Sequence, residues 1–188
     1  MTADERFRRA VILQQLGRHA QAQVELTPFA APGEPREAQA RLLLGLGAFR
    51  LRQYRQAAQW LEPLQARTGP DAAEAAFYLA RSYGRAGDNA AFAERMARVV
   101  DGYPGTRWAE EGLYLLALNA ADAGEPEQAR AHLTRLLATY PKGPWAGDAL
   151  WLLGWLAYKA RDLKAAIASW DRLLAEEPAS RWRAPALY

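Results

Sequence analysis

DALWLLGWLAYKARD, residues 148–162, holds two tryptophans, a tyrosine and four leucines, and its apolar run is unbroken from Ala149 to Tyr158. A bilayer-spanning helix takes about 20 consecutive apolar residues. This run is too short, is closed by Lys159, Arg161 and Asp162, and no other stretch of the chain does better. The sequence therefore carries no membrane span. The run belongs either to the interior of a helical protein or to a surface built to hold a partner.

The stretch recurs along the chain. EAAFYLARSYGRAGD (residues 74–88) and EGLYLLALNAADAGE (residues 111–125) align with it, placing Phe77, Tyr114 and Trp151 at steps of 37, with Tyr188 at the next step. Trp108, Trp145 and Trp182 keep the same step, as do Pro104, Pro141 and Pro178. Nearer the N-terminus, HAQAQVELTPF and YRQAAQWLEPL align with Pro28 and Pro63 35 residues apart. Turns fall at Gly17, Arg52, Gly87, Gly124 and Arg161, spaced 35, 35, 37 and 37. These periods divide the chain into five units at about residues 3–33, 34–70, 71–107, 108–144 and 145–181. Residues 182–188 read as the start of a sixth unit that is cut off. A fixed period of this length is the mark of a stacked-repeat protein.

Each unit reads as two helices. Leu150, Leu153, Gly154 and Ala157 form one i, i+3, i+4, i+7 stripe, and Leu163, Ala166, Ile167, Trp170, Leu173 and Leu174 form another across the turn. Tyr103-Pro104 and Tyr140-Pro141 end helices, because proline disfavours helical backbone in the residue before it. Thr106 and Ser180 sit where a hydroxyl would cap the next helix, with Glu110 and Glu111 in a first turn. No run alternates with period two and β-branched residues are scarce, so the chain is all-α. Pro28 and Pro63 lie inside the second helix of their units, where proline costs about 3 kcal/mol. Those two helices are predicted to kink or stop there.

Composition narrows the function. Hydrophobic residues make up 51%, enough for a sizeable core, and cysteine is absent, which removes disulfides and thiolate chemistry. The formal net charge of +3 is too small to indicate nucleic acid, and the arginines are scattered over both helices of each unit. His19 and His132 lie in different units without a second ligand at metal spacing, and His132 reads as solvated. Ser82, Ser169 and Ser180 lack a Gly-x-Ser-x-Gly context. Glu110-Glu111 and Glu176-Glu177 read as helix-end or solvated residues. GLGAF and GRAGD have no following Lys-Ser/Thr, so no phosphate loop is expected. No catalytic, cofactor or metal site is expected. MTADERFRRAVILQQL, residues 1–16, lacks the features of a signal peptide, which leaves the compartment open.

The paired helices resemble the tetratricopeptide repeat. The fifth unit supplies Leu150, Leu153-Gly154, Ala166, Trp170 and Pro178, the second Leu44-Gly45, Tyr54, Ala57 and Leu61, and the fourth Leu116-Ala117, Ala129, Leu133 and Pro141. The third departs, with Phe92 where a small residue belongs, so its two helices should be less closely packed. The resemblance implies a right-handed α-solenoid of about five helix pairs and a protein or peptide partner in a concave groove. YPGTRWAEEGLY, YPKGPWAGDALWLLGWLAYKARDLKAAIASWDRLL and RWRAPALY are similar, more narrowly, to the helical superstructure of bacterial soluble lytic murein transglycosylases and to envelope repeat proteins of the TolA-binding type. That likeness implies a bacterial cell-envelope, periplasmic setting and a non-catalytic role. The enzyme's Glu-Ser signature is absent here, so the likeness alternatively implies the non-catalytic superhelical arm of such an enzyme, with peptidoglycan as a partner.

Two readings of the aromatics stay open. In one, Phe77, Tyr114, Trp151 and Tyr188 stack as a ladder between successive first helices. In the other, by the family resemblance, first-helix positions face a concave groove. Phe49, Phe77, Arg81, Arg85, Tyr114, Trp151, Trp155 and Tyr158 then bind the partner, with Arg81 and Arg85 favouring an acidic one. Trp182 and Tyr188 are expected to lack their neighbour, so that the C-terminal end pairs with a second copy or frays.

Overall fold

A computed structural model describes every residue except Pro70, Pro178 and Tyr188. Among the described residues ten α-helices follow one another: α1 (Ala3–Gln15), α2 (His19–Leu26), α3 (Glu37–Arg50), α4 (Tyr54–Leu61), α5 (Ala72–Arg85), α6 (Asn89–Gly102), α7 (Arg107–Asp122), α8 (Pro126–Thr139), α9 (Ala146–Lys159) and α10 (Leu163–Glu176). Among the described residues there is no strand, so the chain is all-α, built of helical hairpins. It divides into two compact units, residues 1–98 and 99–188.

The turn within each hairpin follows from local backbone chemistry. Gly17, Arg52, Gly87, Gly124 and Arg161, the five turn positions marked by the repeat, all have left-handed backbone, with φ of 72°, 60°, 95°, 77° and 61°. After each, the next residue's N–H returns to a carbonyl in the last turn of the first helix. These bonds run Arg18 to Leu13 (2.8 Å), Gln53 to Ala48 (2.9 Å), Asp88 to Tyr83 (3.0 Å), Glu125 to Ala120 (2.8 Å) and Asp162 to Ala157 (3.0 Å). This is the Schellman closure, which satisfies carbonyls the helix end would leave open. The second helix then begins almost at once.

Both internal prolines stop their helices as expected. α2 ends at Leu26 and passes into a 3-10 turn over Thr27–Ala30 containing Pro28. α4 ends at Leu61 and passes into Glu62–Leu64 containing Pro63. Elsewhere second helices run further, as in α8 and α10.

In the first unit α1 lies against α2, α3 against α4, and α5 against both α3 and α4. Phe7, Ala10, Ala22, Leu26, Ala30, Ala40 and Leu44 form one buried cluster across the first three helices. Close approach is set by glycine: the space a Cβ would take at Gly45 is filled by Leu61. Phe92, expected to hold its helices apart, lies with its ring about where a Cβ on Gly84 would touch it, at 3.1 Å. The large residue and the glycine opposite compensate each other. In the second unit α7 lies against α8, α9 against α10, and α8 against α9. There Trp170 fills the space facing Gly154.

Thr106 caps α7 as expected, accepting from the Ala109 N–H at 3.2 Å. Ser180 does not cap an α-helix: residues 181–184 form turns, and its hydroxyl accepts from the Trp182 N–H at 3.2 Å. Trp182 packs back on the hairpin that precedes it. Its ring lies on Trp151 at 4.9 Å and its Nε1 donates to Asp148 Oδ1 at 2.9 Å. Tyr188 and Pro178, the last members of their sequence series, lie outside the described residues.

Candidate functional site

The second unit gathers its aromatics into a run of five rings. Trp182 lies parallel on Trp151, with 2° between planes. Trp151 stacks on Trp170 (5.5 Å), Tyr158 lies beside Trp170 (6.2 Å), and Trp155 stacks on Tyr158 (5.7 Å). The run is anchored by half-buried Trp170, whose Nε1 donates to the Trp151 carbonyl at 3.3 Å. It emerges at the surface, where Trp155 is 42% and Tyr158 50% exposed. Sequence reading found three of the five rings. Trp170 and Trp182 were assigned only to the repeat pattern, although the 37-residue tryptophan series held the signal for Trp182.

Tyr114 is placed differently. It is buried, and its ring stacks on Trp145 at 4.8 Å. Trp145 is 31 residues further along, as Trp182 is from Trp151. In the second unit the rung is thus a first-helix aromatic paired with the tryptophan 31 residues further on. Burial raises the Tyr114 hydroxyl pKa, helped by the Asp148 carboxylate. Asp148 is a hub: it also pairs with Arg181, whose pKa that hydrogen bond raises.

The first unit holds the other expected residues. Phe49 packs edge-on against Tyr54 (5.4 Å) and Tyr78 (5.1 Å). The Arg81 guanidinium lies over Phe49 (5.3 Å) and Phe77 (5.4 Å), and Arg85 lies over Tyr54 (5.9 Å). Four of the expected partner-binding residues therefore meet here, Phe49, Phe77, Arg81 and Arg85. Phe77 is fully buried. Phe77 and Tyr114, expected on the partner-binding face, are both buried in this structure.

Polar groups in the interior have structural work. Glu110, expected at a solvated helix end, is buried and accepts from the Trp145 N–H at 3.1 Å, joining α7 to the start of α9. Gly143 leaves the room its carboxylate occupies. Burial raises the Glu110 pKa, and the bond from Trp145 opposes the rise. Ser82 is fully buried and donates to the Tyr78 carbonyl at 2.7 Å, and Ser169 donates to Ala165 at 2.9 Å. His132, expected to be solvated, is half-buried, and burial lowers its pKa. His19 Nδ1 meets Gln14 Oε1, and its pKa is lowered by burial and by Arg50. Among the described residues no three His, Cys, Asp or Glu side chains gather as a metal site. No described helix is long and apolar enough to cross a membrane.

Helical hairpins closed by left-handed turns, with aromatics on their first helices, define a helix-pair repeat protein. A tetratricopeptide repeat profile matches residues 42–106 and 114–181, well over half of the chain, and the chain belongs to that family. Among curated proteins, none matches the sequence. Solved structures share the fold. MamA from Desulfovibrio magneticus RS-1 is 16% identical, with 95% of this chain and 97% of that one covered and a TM-score of 0.76. The C-terminal part of a TPR repeat-containing protein from Cytophaga hutchinsonii is 17% identical, with 100% and 74% covered and a TM-score of 0.77.

Proposed function

We propose that this protein is a non-enzymatic adaptor that holds a protein or peptide partner on the aromatic surface of its first helices, in the bacterial cell envelope. The observation that carries the reading is the stacked pair Trp155–Tyr158, exposed at the end of a ring run whose other members are half-buried. Tetratricopeptide proteins generally bind protein partners and generally act as scaffolds. Partly exposed tryptophan and tyrosine on a rigid support suit recognition, since they desolvate much area at small entropic cost. Within the first unit, Phe49, Arg81 and Arg85 form a separate aromatic and cationic group, with Arg85 exposed. Affinity capture from envelope extract, followed by binding of the purified partner to wild type and Trp155→Ala, tests this. Lost melting temperature with undiminished binding would refute it.

A second reading is favoured by the same rings, whose flat faces also suit sugar rings. It makes the chain the helical arm of a peptidoglycan lytic transglycosylase, positioning glycan strands for a catalytic domain. Retention on purified murein sacculi, lost in Trp155→Ala, would select it over the adaptor.

A further inference from the structure

We infer that a cavity lined by α3, α5 and the segment 64–69 binds a small arylalkylammonium molecule, one aromatic ring bearing a cation. The site belongs to the first unit and stands independently of the adaptor reading, whose exposed ring pair belongs to the second.

The cavity has a volume of about 140 Å³. Leu42, Leu64 and Ala75 line it and are buried, whereas Gln39, Arg67 and Asp71 line it and are exposed, so its interior is apolar and its opening polar. A cavity of about 150 Å³ lined by leucine, isoleucine and phenylalanine takes up benzene, so this one has room for a single ring. Its lining residues lie in the second and third hairpins and the segment joining them, with other hairpins before and after in the chain.

The preceding junction of the repeat holds a plug at the same place. One 35-residue step back, Leu42, Leu64, Gln39 and Asp71 correspond to Phe7, Phe29, Asp4 and Arg36. The frame is kept: Ala40 and Ala75 correspond, as do Leu26 and Leu61, and all four are buried. In the first junction the rings of Phe7 and Phe29 meet edge to face at 5.1 Å. The Arg36 guanidinium covers Phe7 at 4.8 Å and pairs with Asp4 at 2.6 Å. At the second junction both rings are leucines and the covering cation is a carboxylate. The plug that the chain builds for itself once, an aromatic ring under a cation, is what the second junction lacks.

Charge at the opening suits the same occupant. Asp71 precedes α5, yet its side chain makes no capping bond and has no ion pair among the described residues. The opening's own cation, Arg67, already has a counter-charge in Glu37, whose pKa is lowered by the Gly33 N–H, then by Arg41, then by Arg67. An ammonium held over the seated ring, where Arg36 lies in the first junction, meets the Asp71 carboxylate.

Benzylamine, a cation at neutral pH, is the probe, beside benzyl alcohol and phenylacetate. Each is titrated into the full chain while backbone amide shifts are followed, with thermal melting in parallel. Benzylammonium should saturate below about 10 mM, move amides within residues 38–42 and 64–75, and bind about fivefold more tightly than phenylacetate. Asp71→Asn, at an exposed site, should keep the fold and remove that preference. Leu42→Phe with Leu64→Phe and Asp71→Arg rebuilds the first junction, and should melt higher and bind none of the three. Equal binding of benzylammonium and phenylacetate, an affinity indifferent to Asp71→Asn, or shifts confined to other residues overturns the inference. So does the absence of saturable binding by about 10 mM. Should the triple variant fail to fold, Asp71→Asn and the amide shifts still decide.

Discussion

Trp151 and Trp182 lie ring on ring at 4.9 Å with their planes 2° apart. The contact ties the turn-rich segment after α10 to the first helix of its hairpin. Trp182→Ala should cost about 1–3 kcal/mol, combining lost burial with lost stacking. Hydrogen exchange should show residues 179–187 losing protection while α7 and α8 keep theirs. Equal protection in wild type and variant would show that the ring contact does not hold the segment.

Gly154 permits the approach of Trp170, whose indole occupies the space a Cβ would need. Gly154→Ala should displace the ring, break its bond to the Trp151 carbonyl, and cost about 1–3 kcal/mol by overpacking. Chemical denaturation measures the cost, and a red-shifted tryptophan emission would report the displaced ring.

Arg52 and Arg161 hold left-handed backbone, which glycine adopts without a Cβ penalty. Arg52→Gly and Arg161→Gly should each stabilise by up to about 1 kcal/mol. The reverse change at the equivalent position, Gly87→Ala, should destabilise by a similar amount. Melting temperatures that move the other way would refute the assignment.

Glu110 gives stability a pH dependence of definite sign. Its folded-state pKa is raised by burial, so the folded chain holds this proton more tightly than the unfolded chain does. The stabilisation is complete below the ordinary carboxylate pKa and is lost as pH climbs through the raised value. Glu110→Gln keeps an acceptor for the Trp145 N–H and removes the titration. Urea midpoints should therefore diverge in favour of the variant as pH rises through that window, then run parallel. A pH-independent difference would show that Glu110 is not the titrating group.

Trp155 is exposed enough that Trp155→Ala should cost little stability, under about 1 kcal/mol, while weakening the partner severalfold or more. Calorimetric titration beside a melting curve separates the two effects.

The hairpin count, the five turns, the two early helix stops and the cap at Thr106 were legible in the sequence. A left-handed turn, a proline and a hydroxyl cap each act within a few residues of themselves, and the period repeats them. Burial at the candidate site was not legible in that way. Glu110 reads as a helix-start carboxylate until Trp145, 35 residues on, covers it, and Tyr114 reads like Tyr158 until the same tryptophan stacks on it. Helical spacing states which side chains share a face, but not what the neighbouring hairpin lays over that face. Only the tertiary structure decided that Phe77 and Tyr114 are enclosed while Trp155 and Tyr158 meet solvent, because exposure depends on residues brought near by stacking and remote along the chain.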